Sequence, residues 1–580
     1  MTTKDCSVVV HVDFGTHGSG YSWVVLGGAN DDPAKRQVSL LHQWPGQPFR
    51  YPKAPSCLLL NTKHKLVAWG AEAKHLARAR HTNRRMANYK LKKGSKISLH
   101  RRHGGSRTSG ILAINDQERS REKLATMLLK QIYDTAVAEI SGSTFGPDDI
   151  RWSISVPATW EDSAKQATRR AAVAAGYPDD RLALIYEPEA AAYYVRLSGV
   201  KPTGTDGEAL PPINDPGSRF IVVDSGGGTV DITAYEVEPD GGVRELTKPT
   251  GGLYGSLFLN KAFQNRILTS RLGGKDEFKR ISAIMPAVIE EIYDGFEQAK
   301  YDISAQTPAV ISLPIPVELY RNLTQDTIAG LRAVQDGIDS RLVINSDEVR
   351  SIFEEVIAPI TEMIDSQLDE VGHQVTPREG GELVVLVGGF TRSLYLQQRI
   401  NTHLRGRASV LIPPHPEAAV LIGGAHYAYD PKTRRRRSKY TYGIALSQPF
   451  EAGDPEKYSK VDWQGEKVCT ERFGILVREG DSIDVGEEVE ITDLEPLTEK
   501  HLKVSLRIFR TRAREPRYVT DADCLEIGST TINLAELKHL EMSKRSIDVS
   551  ASFGETEITA TATLKANGTR KQVKVDFHDR

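Results

Sequence analysis

The apolar positions of this chain run in two rhythms. Up to about residue 430, apolar runs of strand length alternate with longer stretches of helical period. Val8–Val12 is such a run, interrupted at His11 and closed by Asp13, and Tyr21–Leu26, Val38–His42 and Cys57–Leu60 follow between Gly and Pro. Helices are predicted over Glu118–Ile140, Trp160–Ala175, most of 257–310 and Asp347–Glu370; Glu187-Pro188-Glu189 opens another with acidic residues in its first turn. Strands are predicted at Arg151–Val156, Leu182–Tyr186, Phe220–Val223 and Leu383–Val387. This alternation marks an α/β fold. Past 430 the period falls to two in Lys503–Arg510, Ser546–Phe553, Glu557–Leu564 and Gln572–Phe577, which predicts an antiparallel β-sandwich.

Length and composition narrow the class without naming a chemistry. A chain of 580 residues exceeds what one core supports and should divide into several units. Its hydrophobic content of 39%, charged content of 26% and net charge of -1 describe a soluble globular protein with no global electrostatic bias. The four cysteines lack CxxC or metal-ligand spacing, which fits unpaired thiols in a reducing compartment. No signal peptide and no membrane-spanning run is read, so a cytoplasmic protein without integral membrane association is expected.

Charge is biased only locally. Lys74 to Arg107 holds about a dozen Lys or Arg and no acidic residue, and reads either as a solvated helix and loop or as a surface for an acidic ligand such as anionic lipid or nucleic acid. Arg101 to Gly110 reads as a loop and Lys201 to Ser218 as a surface insertion. The run 431–439, with Arg434 to Arg437 at its centre, reads as a basic linker, or alternatively as a nuclear address.

Two distant segments repeat one pattern: an apolar strand, an Asp, a Gly cluster and a Thr. They are Val8 to Thr16, ending Asp13-Phe14-Gly15-Thr16, and Phe220 to Ile232, with Asp224-Ser225-Gly226-Gly227-Gly228-Thr229-Val230-Asp231 at its centre. Gly lets several amides point into one space, an arrangement that binds anions, and a phosphate chain is the natural guest. Each Asp falls where a strand gives way to a turn, so its carboxylate can hold a hydrated Mg²⁺ beside those phosphates. The pair implies a duplicated, two-lobed nucleotide site.

With Gly388-Gly389-Phe390-Thr391-Arg392, Val156 to Thr168, Glu187 to Ala192 and His415 to Gly423 lying in the same order along the chain, the sequence resembles the 70 kDa heat-shock chaperones. The extended loop Gly18-Ser19-Gly20-Tyr21, the segment Gly251 to Ser256, Thr441-Tyr442-Gly443 and Tyr518 to Asp521 are similar to an atypical branch of that family, typified by heat shock 70 kDa protein 12 and its fungal relatives. The resemblance implies an α/β, two-lobed, actin-like ATPase domain (a duplicated ribonuclease H-like fold) over 1–430. Lobe I would take about 1–215 and 388–430, and lobe II about 216–387. A substrate-binding-like β-sandwich would occupy 440–580 without a helical lid.

The resemblance also implies roles. ATP or ADP with Mg²⁺ would be the cofactors, and the activity a weak ATPase within a chaperone-like protein. Asp13 and Asp231 would hold the Mg²⁺ through water, Asp224 and Glu187 would orient or deprotonate the attacking water, and Gly15, Thr16, Gly226, Gly227, Gly228 and Thr229 would cradle the phosphates. Gly388, Gly389 and Arg392 would meet the adenosine; Lys300, Tyr301 and Ser304 would close on ribose and adenine; Gly255 and Ser256 would line the other lobe. The family's catalytic Lys falls in Met86 to Lys93, where Lys90 is the choice and Lys92 and Lys93 compete. Unfolded or extended polypeptides would be clients at the β-sandwich, with nucleotide-exchange or other co-chaperones as partners. A nucleotide-gated scaffold or signalling adaptor with little hydrolysis is the alternative, and an actin-fold small-molecule kinase a more distant one.

Overall fold

The computed structural model describes residues 6–79, 90–93, 118–142, 144–202, 212–305, 310–375, 381–431, 433–485, 487–553 and 558–573. Much of the basic stretch 74–107, the Arg101 to Gly110 loop and the centre of the 201–218 insertion lie outside them. Among the described residues no helix is long and apolar enough to cross a membrane. The chain forms two compact units, one of Met1–Trp160, Ala167–Gly241 and Thr250–Pro431, the other of Glu161–Gln166, Gly242–Pro249 and Lys432–Arg580.

The first unit contains one sheet plan used twice. In the first sheet, β1 (Val8–Asp13) pairs antiparallel with β2 (Gly18–Val25) and parallel with β3 (Ile150–Val156), which pairs parallel with β4 (Leu182–Tyr186). Helix α1 (Glu187–Leu197) follows directly. In the second sheet, β5 (Arg219–Ser225) pairs antiparallel with β6 (Val230–Val237). After α2 (Ser256–Ala262), α3 (Pro286–Asp302) and α4 (Ser346–Gln374), β7 (Glu382–Val387) pairs parallel with β5, and β8 (Ala408–Leu411) parallel with β7. Each plan is therefore a hairpin followed by two parallel strands. Short strands extend both hairpins: Ser39–Leu40 and Ala54–Pro55 on β2, Thr250–Gly252 on β6.

Central strands β1, β5 and β7 are buried on both faces, which is why each reads as an unbroken apolar run rather than an alternation. Helix α5 (Ala419–Tyr429) packs on α1, and a side chain at Gly423 would strike the Ala190 carbonyl, so glycine sets how closely the helices approach.

The second unit is built almost wholly of β-structure. Strands β9 (Thr441–Pro449), β10 (Lys467–Val477), β12 (Lys503–Thr511) and β13 (Leu525–Asn533), with Ser459–Val461, make a five-stranded antiparallel sheet; β11 (Glu488–Leu494), β14 (Ile547–Ser552), β15 (Thr559–Leu564) and β16 (Arg570–Val573) make a four-stranded one. One apolar core holds residues from both, among them Ile444, Ile508, Ile532, Val549 and Ala562. Along β14 buried and half-buried positions alternate strictly, as a strand with one core-facing side requires.

The run expected as a linker is a strand. Thr433–Arg437 pairs parallel with Val243–Glu245 and antiparallel with Ser482–Asp484. The Arg435 guanidinium lies 2.5 Å from Asp484, and the Arg437 amide donates to Glu245 Oε2 at 2.9 Å. Four successive arginines give no apolar alternation to read, and the acids that Arg435 and the Arg437 amide meet lie on strands remote in sequence.

Candidate functional site

Strand β1 delivers Asp13 to its end with 4% exposure, and the tip behind it is pinned from two sides. The Gly15 amide donates to Ser19 Oγ at 3.0 Å, and Ser56 Oγ donates to the Gly15 carbonyl at 2.6 Å. Ser19, from the extension that distinguishes this loop, thus ties the hairpin tip to the segment carrying residues 51–56. That segment brings Lys53 to Asp13, with Nζ 2.6 Å from Oδ2 and the two side chains only 14% and 6% exposed. Burial works against the ammonium charge, but Asp13, Tyr51 and Asp224 outweigh it and hold the Lys53 pKa above its ordinary value. Sequence reasoning missed Lys53, because it sits between two prolines in what reads as a turn. Lys90 lies on the strand Lys90–Lys93, opposite Leu60 in backbone register, and its side chain falls outside the described residues.

The second hairpin sets Asp224 opposite Asp231 in antiparallel register. Both are buried, and the Thr159 amide and hydroxyl donate to Asp231 Oδ1 at 3.2 and 2.7 Å. The Gly226 amide closes the turn on the Thr229 carbonyl at 3.0 Å. Gly255 and Ser256, expected to line the nucleotide, have their amides committed elsewhere: the amides of Gly255, Ser256 and Leu257 donate to the carbonyls of Gly228, Gly226 and Gly227 at 3.3, 3.1 and 2.9 Å. They brace the hairpin.

The two tips meet. A Cβ added to Gly227 would lie 2.5 Å from that of His17, and one added to Gly228 would lie 2.7 Å from Thr16 Oγ1. Four carboxylates converge behind them: Asp13, Asp224, Asp231 and Glu187, the first residue of α1. Burial, reinforced by the negative charges of Glu187, Asp231 and Asp13, drives the Asp224 pKa well above the carboxylate range, while Lys53 opposes the rise. This pocket of hard oxygen donors is short of positive charge, which suits a hard cation. Among the described residues no three such side chains are grouped to ligate a metal directly.

Just past the end of β7, Gly388 adopts φ +90°, and a Cβ there would lie 2.5 Å from Asp224 Oδ1. The exposed Arg392 guanidinium lies 5.8 Å from the ring centre of Tyr51 and 5.4 Å from that of Tyr301, within cation–π range of both. Tyr51 is the second residue that sequence reasoning missed, and it comes from the same segment as Lys53. Ser304 Oγ donates to Gln398 Oε1 at 2.9 Å.

Lys300, expected to close on ribose and adenine, has its ammonium engaged within the protein. It is fully buried, and its ammonium donates to Glu297 Oε2 at 2.7 Å, Asn260 Oδ1 at 3.0 Å and the Ser256 carbonyl at 3.4 Å, which uses all three protons to join α3 to α2. Glu297, unremarked in the sequence except as part of the same helical segment, also accepts from Tyr301 Oη at 3.3 Å and lies 3.9 Å from His17 Nε2. Burial alone would raise its pKa, yet Lys300 and His17 hold it down to about 2.

Residues 214–413 match a family described as a domain of unknown function, DUF8340. The chain is 26% identical to heat shock 70 kDa protein 12A of Homo sapiens over 633 residues, covering 98% of this chain and 91% of that protein. It is also 26% identical to heat shock 70 kDa protein 12B of Homo sapiens over 642 residues, with the same coverage of each. The chaperone protein DnaK of Thermosipho melanesiensis is 25% identical over 321 residues, 54% of this chain and 45% of that one. The likeness spans almost the whole of two 12-type heat shock relatives but only about half of this chain in DnaK, so the chain is similar over nearly its full length to the atypical 12-type proteins.

Proposed function

We propose that the first unit binds ATP or ADP with Mg²⁺, that it hydrolyses ATP slowly, and that the protein acts as a chaperone. The observation that carries this reading is the meeting of the two Gly-rich tips in front of four buried carboxylates. Thr16, Gly227, Gly228 and Thr229 cradle the phosphates with amides and hydroxyls, while Gly15 and Gly226, whose amides donate to Ser19 Oγ and the Thr229 carbonyl, shape the two tips around them. Asp13 and Asp231 accept hydrogen bonds from the water shell of the cation, whose own contribution is to neutralise phosphate charge. Glu187 and Asp224 orient the attacking water. A buried carboxyl whose pKa is raised keeps its own proton to higher pH and must release it before it can accept one from water, and this supports slow turnover. Gly388, Gly389, Arg392, Tyr301 and Ser304 face the nucleoside.

The two sheets of the second unit form a β-sandwich, and extended polypeptides are its clients, with co-chaperones acting on the nucleotide cycle. Four cysteines that form no disulfide support a cytoplasmic setting. The raised Asp224 also favours a second reading, a nucleotide-gated scaffold with little hydrolysis.

Calorimetric titration with ATP and ADP, with and without Mg²⁺, alongside single-turnover hydrolysis, tests both. Mg²⁺-dependent binding is expected, and Asp13→Asn with Asp224→Asn should weaken it and abolish turnover. Turnover unchanged in that double variant overturns the site assignment. Tight binding with no turnover in the wild-type chain selects the scaffold.

A further inference from the structure

The glycine-rich extension Gly18-Ser19-Gly20 has no place in the function so far, although it is where this chain's first loop departs from the pattern it resembles. Its neighbours explain it. Strand β2 pairs through Gly18 and Ser19 with Pro55 and Ala54, which lays residues 52–55 along the hairpin. A Cβ at Gly20 would collide with the Pro52 carbonyl and lie 3.4 Å from Lys53 Cα, and one at Gly18 would lie 3.3 Å from Lys53 Cβ. Side chains at either position would push that segment away. Ser19 adds a hydroxyl contact of 2.8 Å to Ser56. The extension is therefore what allows Lys53 to enter the cleft, where its ammonium lies on Asp13 with 14% exposure.

Resting on the reading of the cleft as an ATP site, we propose that Lys53 is the cation that faces the terminal phosphate and makes this site prefer ATP to ADP. The pocket holds an excess of carboxylates, so a trianionic tail needs a fixed positive charge beside it. Lys supplies a compact point charge on a flexible stem. Lys53 has been delivered from lobe I to the Asp of the first hairpin, and Asp224 of the second hairpin also acts on it electrostatically. A nucleotide ending at the β-phosphate forgoes the contact, whereas one with a γ-phosphate gains a charge-assisted hydrogen bond.

The test is calorimetric affinity of the full chain for ATP, a non-hydrolysable ATP analogue and ADP, each with Mg²⁺. Lys53→Met should weaken ATP and the analogue by roughly ten- to a hundredfold, the scale of a lost charged hydrogen bond, and ADP by less than about threefold. Lys53→Arg, which keeps the charge, should retain most of the preference. Gly20→Ala leaves Lys53 in the chain but displaces its backbone, so it should lose the preference as Lys53→Met does. Should Lys53→Met fail to fold, the Arg and Gly20 variants decide. Equal weakening of ATP and ADP, or an unchanged ratio in both Lys53→Met and Gly20→Ala, overturns the proposal. Failure of the wild-type chain to bind either nucleotide instead overturns the nucleotide reading itself.

Discussion

Asp224 and Asp231 stand directly opposite one another on the two strands of the second hairpin, both buried, with the negative charge of Glu187 also bearing on Asp224. Like charges held this close are costly to a nucleotide-free protein and useful to one that binds a cation and phosphates.

Asp224→Asn should therefore stabilise the protein without nucleotide while removing hydrolysis. The folded pKa of Asp224 is raised, so its favourable contribution is complete below the ordinary carboxylate pKa and is lost as pH rises through the folded value. The gain from Asn should thus be absent near pH 4 and grow with pH, reaching about 1 kcal/mol in the usual range for relieved active-site strain. Chemical denaturation across pH, paired with phosphate-release assays, checks both halves; a variant less stable than wild type at high pH would refute the first.

Glu297 and Lys300 form the buried pair at the joint of α2 and α3. Removing one partner strands the other, so Glu297→Gln should cost about 3–5 kcal/mol, and the double change with Lys300→Met should recover most of it. The sign with pH is the reverse of Asp224. A carboxyl ordinarily near 4.5 and held at about 2 contributes stability that is present above 4.5 and disappears as pH falls toward 2. Acid titration of the folded state should show that limb in the wild type and not in the double variant.

Gly255→Ala should disturb the site, whereas Gly330→Ala should not. A Cβ at Gly255 would lie 2.5 Å from the Gly227 carbonyl carbon and oxygen, and backbone must move to admit it, at about 1–3 kcal/mol. ATP affinity should fall with it. Gly330, inside the helix Gln325–Val334, has nothing within 4 Å of an added Cβ, so Ala there should stabilise by about 0.5–1 kcal/mol through helix propensity. Thermal melts of the two variants, with ATP titrations of each, separate these effects.

The hairpins were legible because each is continuous in sequence. An apolar run buried on both faces, an Asp at its end and glycines in the turn are all local signals, and β1 and β5 with their Asp13 and Asp224 lie where the pattern put them. The period-two strands read at Lys503–Arg510, Ser546–Phe553 and Glu557–Leu564 were legible for the same reason, while most of the run read at Gln572–Phe577 lies outside the described residues. Thr433–Arg437 was not, because its pairing partners and the acids beside it are distant in the chain and no apolar rhythm reports them. The partners of Lys300 were not legible either, because nothing near it in the chain reports that Asn260 closes over it.

What the sequence determined by itself is therefore the repeated phosphate-binding hairpin and its order among the other motifs, since backbone periodicity and turn chemistry are written within a few residues of each position. Which charge sits in the cleft was decided by tertiary structure alone. Lys53 reaches Asp13 only because two glycines and a serine of one hairpin let a segment more than thirty residues further along lie against it. Such a contact depends on packing tolerances of a few tenths of an ångström between remote segments, and no periodicity in the chain encodes it.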